Sequence, residues 1–232
     1  MTNTSSWDPF FKRSPDPGFH HIRCETNLMY TPLVNKEKNV MCMHWDSTSE
    51  YQHPDARPLF NQGLLDYFFN KEVFYISKFQ GHSYAPEVYE IDYKEKKVFI
   101  EWSGETCNDI VYDSSRSLDK ECTSWHSQLN DAIESIYRNN VYKVSLYPHC
   151  FFIKDGNLKT FDWYGCFDVN NCFVDYEVLE GMMGKHSSHR FSEASKDGIV
   201  DFSYFYKKSL QQHIKWPNDP LPALYNKLFG NE

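Results

Sequence analysis

Asp162 stands between Phe161 and Trp163, and a carboxylate among rings is costly to bury unless it is paired, capped into a turn or bound to a cation. Two readings stand side by side, a site carboxylate and a turn cap. Ser145, His149 and Cys150 precede it in the same stretch, followed by the turn Asp155-Gly156-Asn157. Imidazole titrates near neutrality, so His149 has the chemistry of a general base. A serine of ordinary pKa cannot take a proton at neutral pH as a carboxylate does, so Ser145 and Cys150 read more simply as a loop residue and a small buried hydrophobe. Glu72 follows Asn70 and Lys71, and among such polar neighbours it is expected to face solvent or a cleft. His20, His21 and His44 share only their residue type, with no pair four residues apart, and read as structural histidines.

The elements that would position these groups follow from periodicity. Val40 to Trp45 is a nearly unbroken apolar run, as in a strand buried on both faces. Phe19 to Val34 reads as extended structure before it and Asp46 to Pro58 as a polar loop after it. Leu64, Leu65, Phe68, Phe69, Val73, Ile76 and Phe79 recur at three- and four-residue steps, which predicts a helix over 59–79 stopped by Gly81. Strands are expected at 87–92 and 98–102 around the turn Tyr93 to Lys97, then a polar connector from Ser103 to Ser117. Trp125, Leu129, Ala132, Ile133, Ile136 and Tyr137 mark a second long helix, ended by Asn139 and Asn140. Val141–Leu146, Cys150–Ile153 and Leu158–Trp163 follow as short extended pieces. An irregular stretch from Gly181 to His189, a helix over 199–214 and a Trp216-Pro217 stop complete the chain.

Composition narrows the function classes. The 232 residues carry 24 Lys+Arg against 32 Asp+Glu, a net charge of -8. That balance repels phosphate backbones and anionic lipid in the absence of a basic cluster, and Lys94, Lys96 and Lys97 read only as a solvated turn. Neither nucleic acid nor membrane is expected as a partner. Aromatic residues make up 17% of the chain, so its core should be rich in rings. Seven cysteines with no C-x-x-C pair suggest neither a disulfide framework nor a zinc module. With no apolar leader between Met1 and Pro17, the expected location is cytoplasmic.

The order of helix, two strands, polar link, long helix, loop and two-stranded ribbon ending in Asp162 resembles the protein-kinase-like superfamily in a degenerate form. Glu72 sits where that family places a glutamate that pairs with a lysine on a preceding strand. Tyr142 to Trp163 resembles its catalytic loop, turn and metal-binding aspartate, a pattern of H-R-D-L-x-x-x-N followed by D-F-G. Here Lys143-Val144-Ser145-Leu146-Tyr147-Pro148-His149-Cys150 puts Ser145 in place of the base and Cys150 in place of the metal-binding asparagine. Met43 or His44 stands where the phosphate lysine would be, and no glycine-rich loop precedes it.

The resemblance implies an α+β, bilobed kinase-like fold. Residues 1–102 would form a tail and a small β-rich lobe with one helix, and 103–232 a mainly helical lobe. It implies ATP and magnesium as ligands, with Glu72, His44, Glu101 and Trp102 lining the nucleotide and Asp162 on the metal. Because four of the expected groups are missing, the expected function is that of a pseudokinase acting through a protein partner with weakened nucleotide binding. An atypical ATP-dependent phosphotransferase using His149 as substitute base is the alternative, and a phage- or virus-type accessory or structural protein is a third.

Overall fold

In the computed structural model the described residues are 20–21, 30–45, 62–183, 189–211, 216–218 and 220–230. The amino-terminal tail up to Pro17, most of Phe19–Glu25, the loop Asp46–Pro58 and the end of the 199–214 helix lie outside them. Strands β1 (His20–His21), β2 (Thr31–Asn35), β3 (Val40–His44), β4 (Val88–Asp92) and β5 (Lys97–Glu101) form one antiparallel sheet in the order β1-β2-β3-β5-β4. Asn39 (φ 53°) and Lys96 (φ 52°) supply the left-handed residues that its tight turns require. In the second turn Asp92 Oδ1 accepts from the backbone N–H groups of Lys94 and Glu95, both at 2.9 Å. Helix α1 (Gln62–Lys78) packs on this sheet between β3 and β4 in sequence.

The helix buries Leu65, Phe69, Glu72 and Ile76 along one side, and Phe79 just past its end continues the stripe. Their spacing of four, three, four and three residues returns to one face of a helix, so the apolar stripe contains a glutamate at its centre. Glu72 is therefore fully buried, which corrects the solvent-facing position expected from its polar neighbours. Sequence neighbours share no helix face; residues three and four apart do.

The presumed connector after β5 contains a helix, α2 (Cys107–Tyr112), set by a capping box. Thr106 N donates to Asp109 Oδ2 at 2.7 Å and Asp109 N donates to Thr106 Oγ1 at 3.4 Å. Short α3 (Leu118–Glu121) leads to α4 (Trp125–Arg138), which ends at Asn139 and at Asn140 with φ 59°. Next come β6 (Val141–Lys143), the ribbon β7 (Phe151–Lys154) and β8 (Asn157–Thr160), and β9 (Cys166–Asp168), which pairs with β6. β8 stops at Thr160, short of the extended piece expected up to Trp163. The rest holds β10 (Phe173–Asp175), α5 (Tyr176–Met183), β11 (Ser195–Lys196), β12 (Ile199–Asp201), α6 (Phe202–Gln211) and α7 (Leu221–Phe229).

Buried apolar residues fall into two clusters. One joins the five-stranded sheet and α1 to Phe152, Phe161, Trp163 and Cys166. The other surrounds Trp125, Leu129 and Ile133 of α4 with Tyr206, Leu210, Trp216 and Leu224. Trp216 stacks on Trp125 at 5.5 Å and its Nε1 donates to Leu146 O at 2.7 Å, so the carboxy-terminal segment is seated against α4. Between the clusters run polar ties. Thr160 N donates to Tyr84 O at 2.8 Å, Lys159 Nζ lies 2.5 Å from Glu101 Oε1, and Lys78 Nζ donates to Asn139 O at 2.9 Å. No helix among the described residues is long and apolar enough to cross a membrane.

Candidate functional site

Beyond β8 the chain turns sharply because Asp162 adopts a left-handed conformation, φ 62° and ψ 51°. A short 3-10 turn, Trp163–Gly165, follows. Asp162 occupies the cap position of that turn, but its side chain makes no capping hydrogen bond there. Lys143, carried in by β6, is buried among apolar residues and donates from Nζ to Phe161 O at 2.6 Å and Asp162 O at 3.1 Å. A buried ammonium needs acceptors in place of water, and two carbonyls supply them. The amine also lies 5.2 Å from the Trp163 ring centre, and that ring stacks on Phe79, just past α1, at 5.0 Å. One lysine thus anchors the bend on which Asp162 sits.

The Asp162 side chain is only 2% exposed, and the Tyr30 hydroxyl donates to its Oδ1. Glu72 reaches the same bend from α1: the Tyr164 N–H donates to its Oε2 at 2.7 Å. Its other oxygen, Oε1, has no hydrogen-bond partner. Burial pushes the Glu72 carboxyl up to about 8, the Asp162 charge adding to the rise and the Tyr164 N–H and Lys143 opposing it. Burial disfavours the charged form and a neighbouring carboxylate does so too, so a neutral acid is the favoured state at neutral pH. Rings close the site, with Tyr164 edge-on to Trp45 at 5.4 Å and to Phe68 at 5.6 Å, and Trp45 at 4.9 Å from Tyr30.

Glu72 and Asp162, distant in sequence, are brought to one place. The remaining predicted positions divide between this place and others. Ser145 lies beside the same turn, so close to Gly165 that a Cβ at Gly165 would stand 2.7 Å from Ser145 Oγ. Cys150 is buried in the α4 cluster, and its carbonyl accepts from Thr160 Oγ1 at 3.0 Å and Phe161 N at 3.1 Å. His149, in the 3-10 turn Pro148–Cys150, stacks on Tyr147 at 5.2 Å. His44 ends β3 opposite Lys97, and Met43 beside it is fully buried. The Glu101 N–H donates to Glu87 O at 2.9 Å and the Trp102 N–H to Asn39 O at 2.8 Å, so these backbone donors, at two of the positions expected to line the nucleotide, serve the sheet.

Magnesium requires about six oxygen ligands in near-octahedral order. At the two positions the resemblance assigns to it, Cys150 offers a buried thiol and Asp162 has Oδ1 engaged by Tyr30. That donor set does not fit the ion. Three residues of the site had no functional reading from sequence: Lys143, Tyr30 and Tyr164. For Lys143 a signal was present, a lone cation inside the apolar run Val141 to Leu146. For Tyr30 none was, since its partner lies far away in the chain.

No family model and no curated protein matches the chain. Among solved structures, a chain of the yeast RNA Pol II CTD kinase CTDK-1 complex is similar, with a TM-score of 0.45 and 13% identity. The match covers 68% of this chain and 49% of that one, so this chain spans about half of that kinase-complex chain's length.

Proposed function

We propose that this chain is a pseudokinase-like protein: a bilobed kinase-like scaffold that acts by binding a protein partner and does not transfer phosphate. The observation that carries the reading is the state of Asp162, buried, hydrogen-bonded by Tyr30 and held from below by Lys143. Phosphoryl transfer depends on charged groups that face the nucleotide and its metal. Here the acidic groups at the corresponding positions, Asp162 and Glu72, are turned into a sealed junction between the bend and α1. Ser145 and Cys150 add neither a carboxylate base nor an amide oxygen. The binding half of the reading is supported by rings left in water on α1, on β4 and in the turn after it: Phe74, which is 62% exposed, Tyr89 and Tyr93. Exposed aromatic side chains on a polar surface are a common feature of binding faces.

Thermal unfolding with ATP, in the presence and absence of magnesium or manganese, tests the proposal, because a ligand that binds only the native state raises its melting temperature. The expected result is no metal-dependent rise. A metal-dependent rise that disappears in Asp162→Asn would replace this reading with an atypical phosphotransferase.

A further inference from the structure

Among the described residues one amine is buried without a hydrogen-bond acceptor, and it sits where the two core clusters meet. Lys71 lies on α1, and its Nζ is 3.4 Å from the centre of the Phe167 ring on β9 and 5.4 Å from that of Tyr67. Phe167 in turn stacks on Phe202 at the start of α6, at 3.9 Å. The nitrogen is shut off from solvent and makes no hydrogen bond, although the residue as a whole is partly exposed. This reverses the usual arrangement, in which a lysine buries its carbon stem and keeps the charged end in water.

The groups facing the amine do not compensate a charge. Tyr67 and Tyr75 on the same helix are pushed above the ordinary phenol range by burial, and burial pushes the Cys166 thiol of β9 up to about 12. All three stay neutral near neutral pH. The Cys166 thiol would favour the ammonium only as a thiolate. A ring face attracts an ammonium, but a single ring replaces less than the water shell that an unpaired buried cation gives up.

We propose that Lys71 is an acid-responsive latch between α1 and β9, packed on Phe167 while its amine is neutral and released into water when the amine gains a proton. Burial lowers the amine to about 7, which places the change near neutrality. Because the stem already reaches the surface, rotation of the side chain alone carries the ammonium outward. The slot on Phe167 is then empty and α1 is less firmly held.

Hydrogen exchange of the full chain at about pH 8 and about pH 6, corrected for the intrinsic pH dependence of exchange, reads this directly. In a Glu72→Gln background, which removes the opposite pH response of the neighbouring carboxyl, opening of the amides of residues 67–75 and 166–168 rises about tenfold at the lower pH, which corresponds to about 1.4 kcal/mol. Lys71→Met, of similar length and without charge, abolishes the rise. Lys71→Arg, charged at both values, gives the open level at both. A Glu72→Gln protein with no rise, or a Lys71→Met derivative of it whose rise is equal, overturns the proposal. Should Lys71→Arg fail to fold, Glu72→Gln and its Lys71→Met derivative still decide.

Discussion

Lys143 and Asp162 are joined through the backbone: the lysine amine lies 3.1 Å from the Asp162 carbonyl oxygen while the Tyr30 hydroxyl holds the carboxylate. The cation supports the bend, and the acid is locked to a tyrosine far away in the sequence. Four consequences can be measured.

Replacing Lys143 with methionine keeps length and apolar packing but strands the carbonyls of Phe161 and Asp162 inside the core. Loss of two charge-assisted hydrogen bonds, with buried acceptors left unmade, should cost about 3 kcal/mol. In a chain of this size that lowers the melting temperature by about 6–12 °C. A Lys143→Met protein that melts with the wild type would show that the bend is held by something else.

Glu72 has a folded-state pKa of about 8 against an ordinary 4.5, raised first by burial and then by Asp162. A group raised in this way favours the fold fully below its ordinary value, and that contribution is lost as pH climbs through the folded value. Glu72→Gln keeps an oxygen to accept from the Tyr164 N–H and cannot ionise. The two proteins should be close in stability at about pH 5, and the variant should be the more stable by about 2–3 kcal/mol at about pH 9. Urea denaturation across that range gives the answer, and parallel curves would exclude Glu72 as the titrating group. Glu72→Ala, which leaves the Tyr164 N–H without its acceptor, should lose about 2 kcal/mol or more.

Tyr30→Phe removes the hydroxyl from Asp162 and should cost about 2 kcal/mol, typical of a hydrogen bond to a charged group. Combined with Asp162→Asn, the losses should be less than additive, because both substitutions alter the same contact. Strict additivity in a double-mutant cycle would separate the two residues.

Gly165→Ala brings a methyl group to 2.7 Å from Ser145 Oγ. A serine hydroxyl can rotate, so the cost should be modest, about 1 kcal/mol. With Ser145→Ala in the background the nearest neighbour is the Cβ at 3.7 Å, and the penalty should vanish. If the penalty persists there, the glycine is required for its backbone and not for the room it leaves.

The long helices α1 and α4, the five-stranded sheet's β3–β5 and the β7–β8 ribbon were legible because their patterns are local. Apolar steps of three and four residues, or a left-handed residue such as Asp155 beside Gly156, are written into neighbouring positions. The three-stranded sheet of β10, β12 and β11 was not legible. Its strands hold two or three residues each, and Phe173 finds its register only against Asp201. The site was half legible for a similar reason. Asp162 announced itself by the rings beside it, whereas Glu72 was assigned to the same nucleotide-and-metal site only through the family resemblance. That Glu72 would be buried was encoded in its distance from Phe69 and Ile76, a signal outweighed in the reading by its polar sequence neighbours. Helix α2 was hidden behind polar residues, although Thr106 and Asp109 carried its cap.

The ties from Tyr84 and Glu101 to neighbouring residues of β8, with Lys78 on Asn139, link the stretch around the five-stranded sheet and α1 to β8 and to the end of α4. A protein that must clamp on a substrate keeps such a seam loose so that its halves can swing. Here polar ties cross it, and on the partner-binding reading proposed above a docking protein would meet a surface that is already set. Association would then forgo the ordering cost of closure, and dissociation would have to proceed without help from an opening motion of the host.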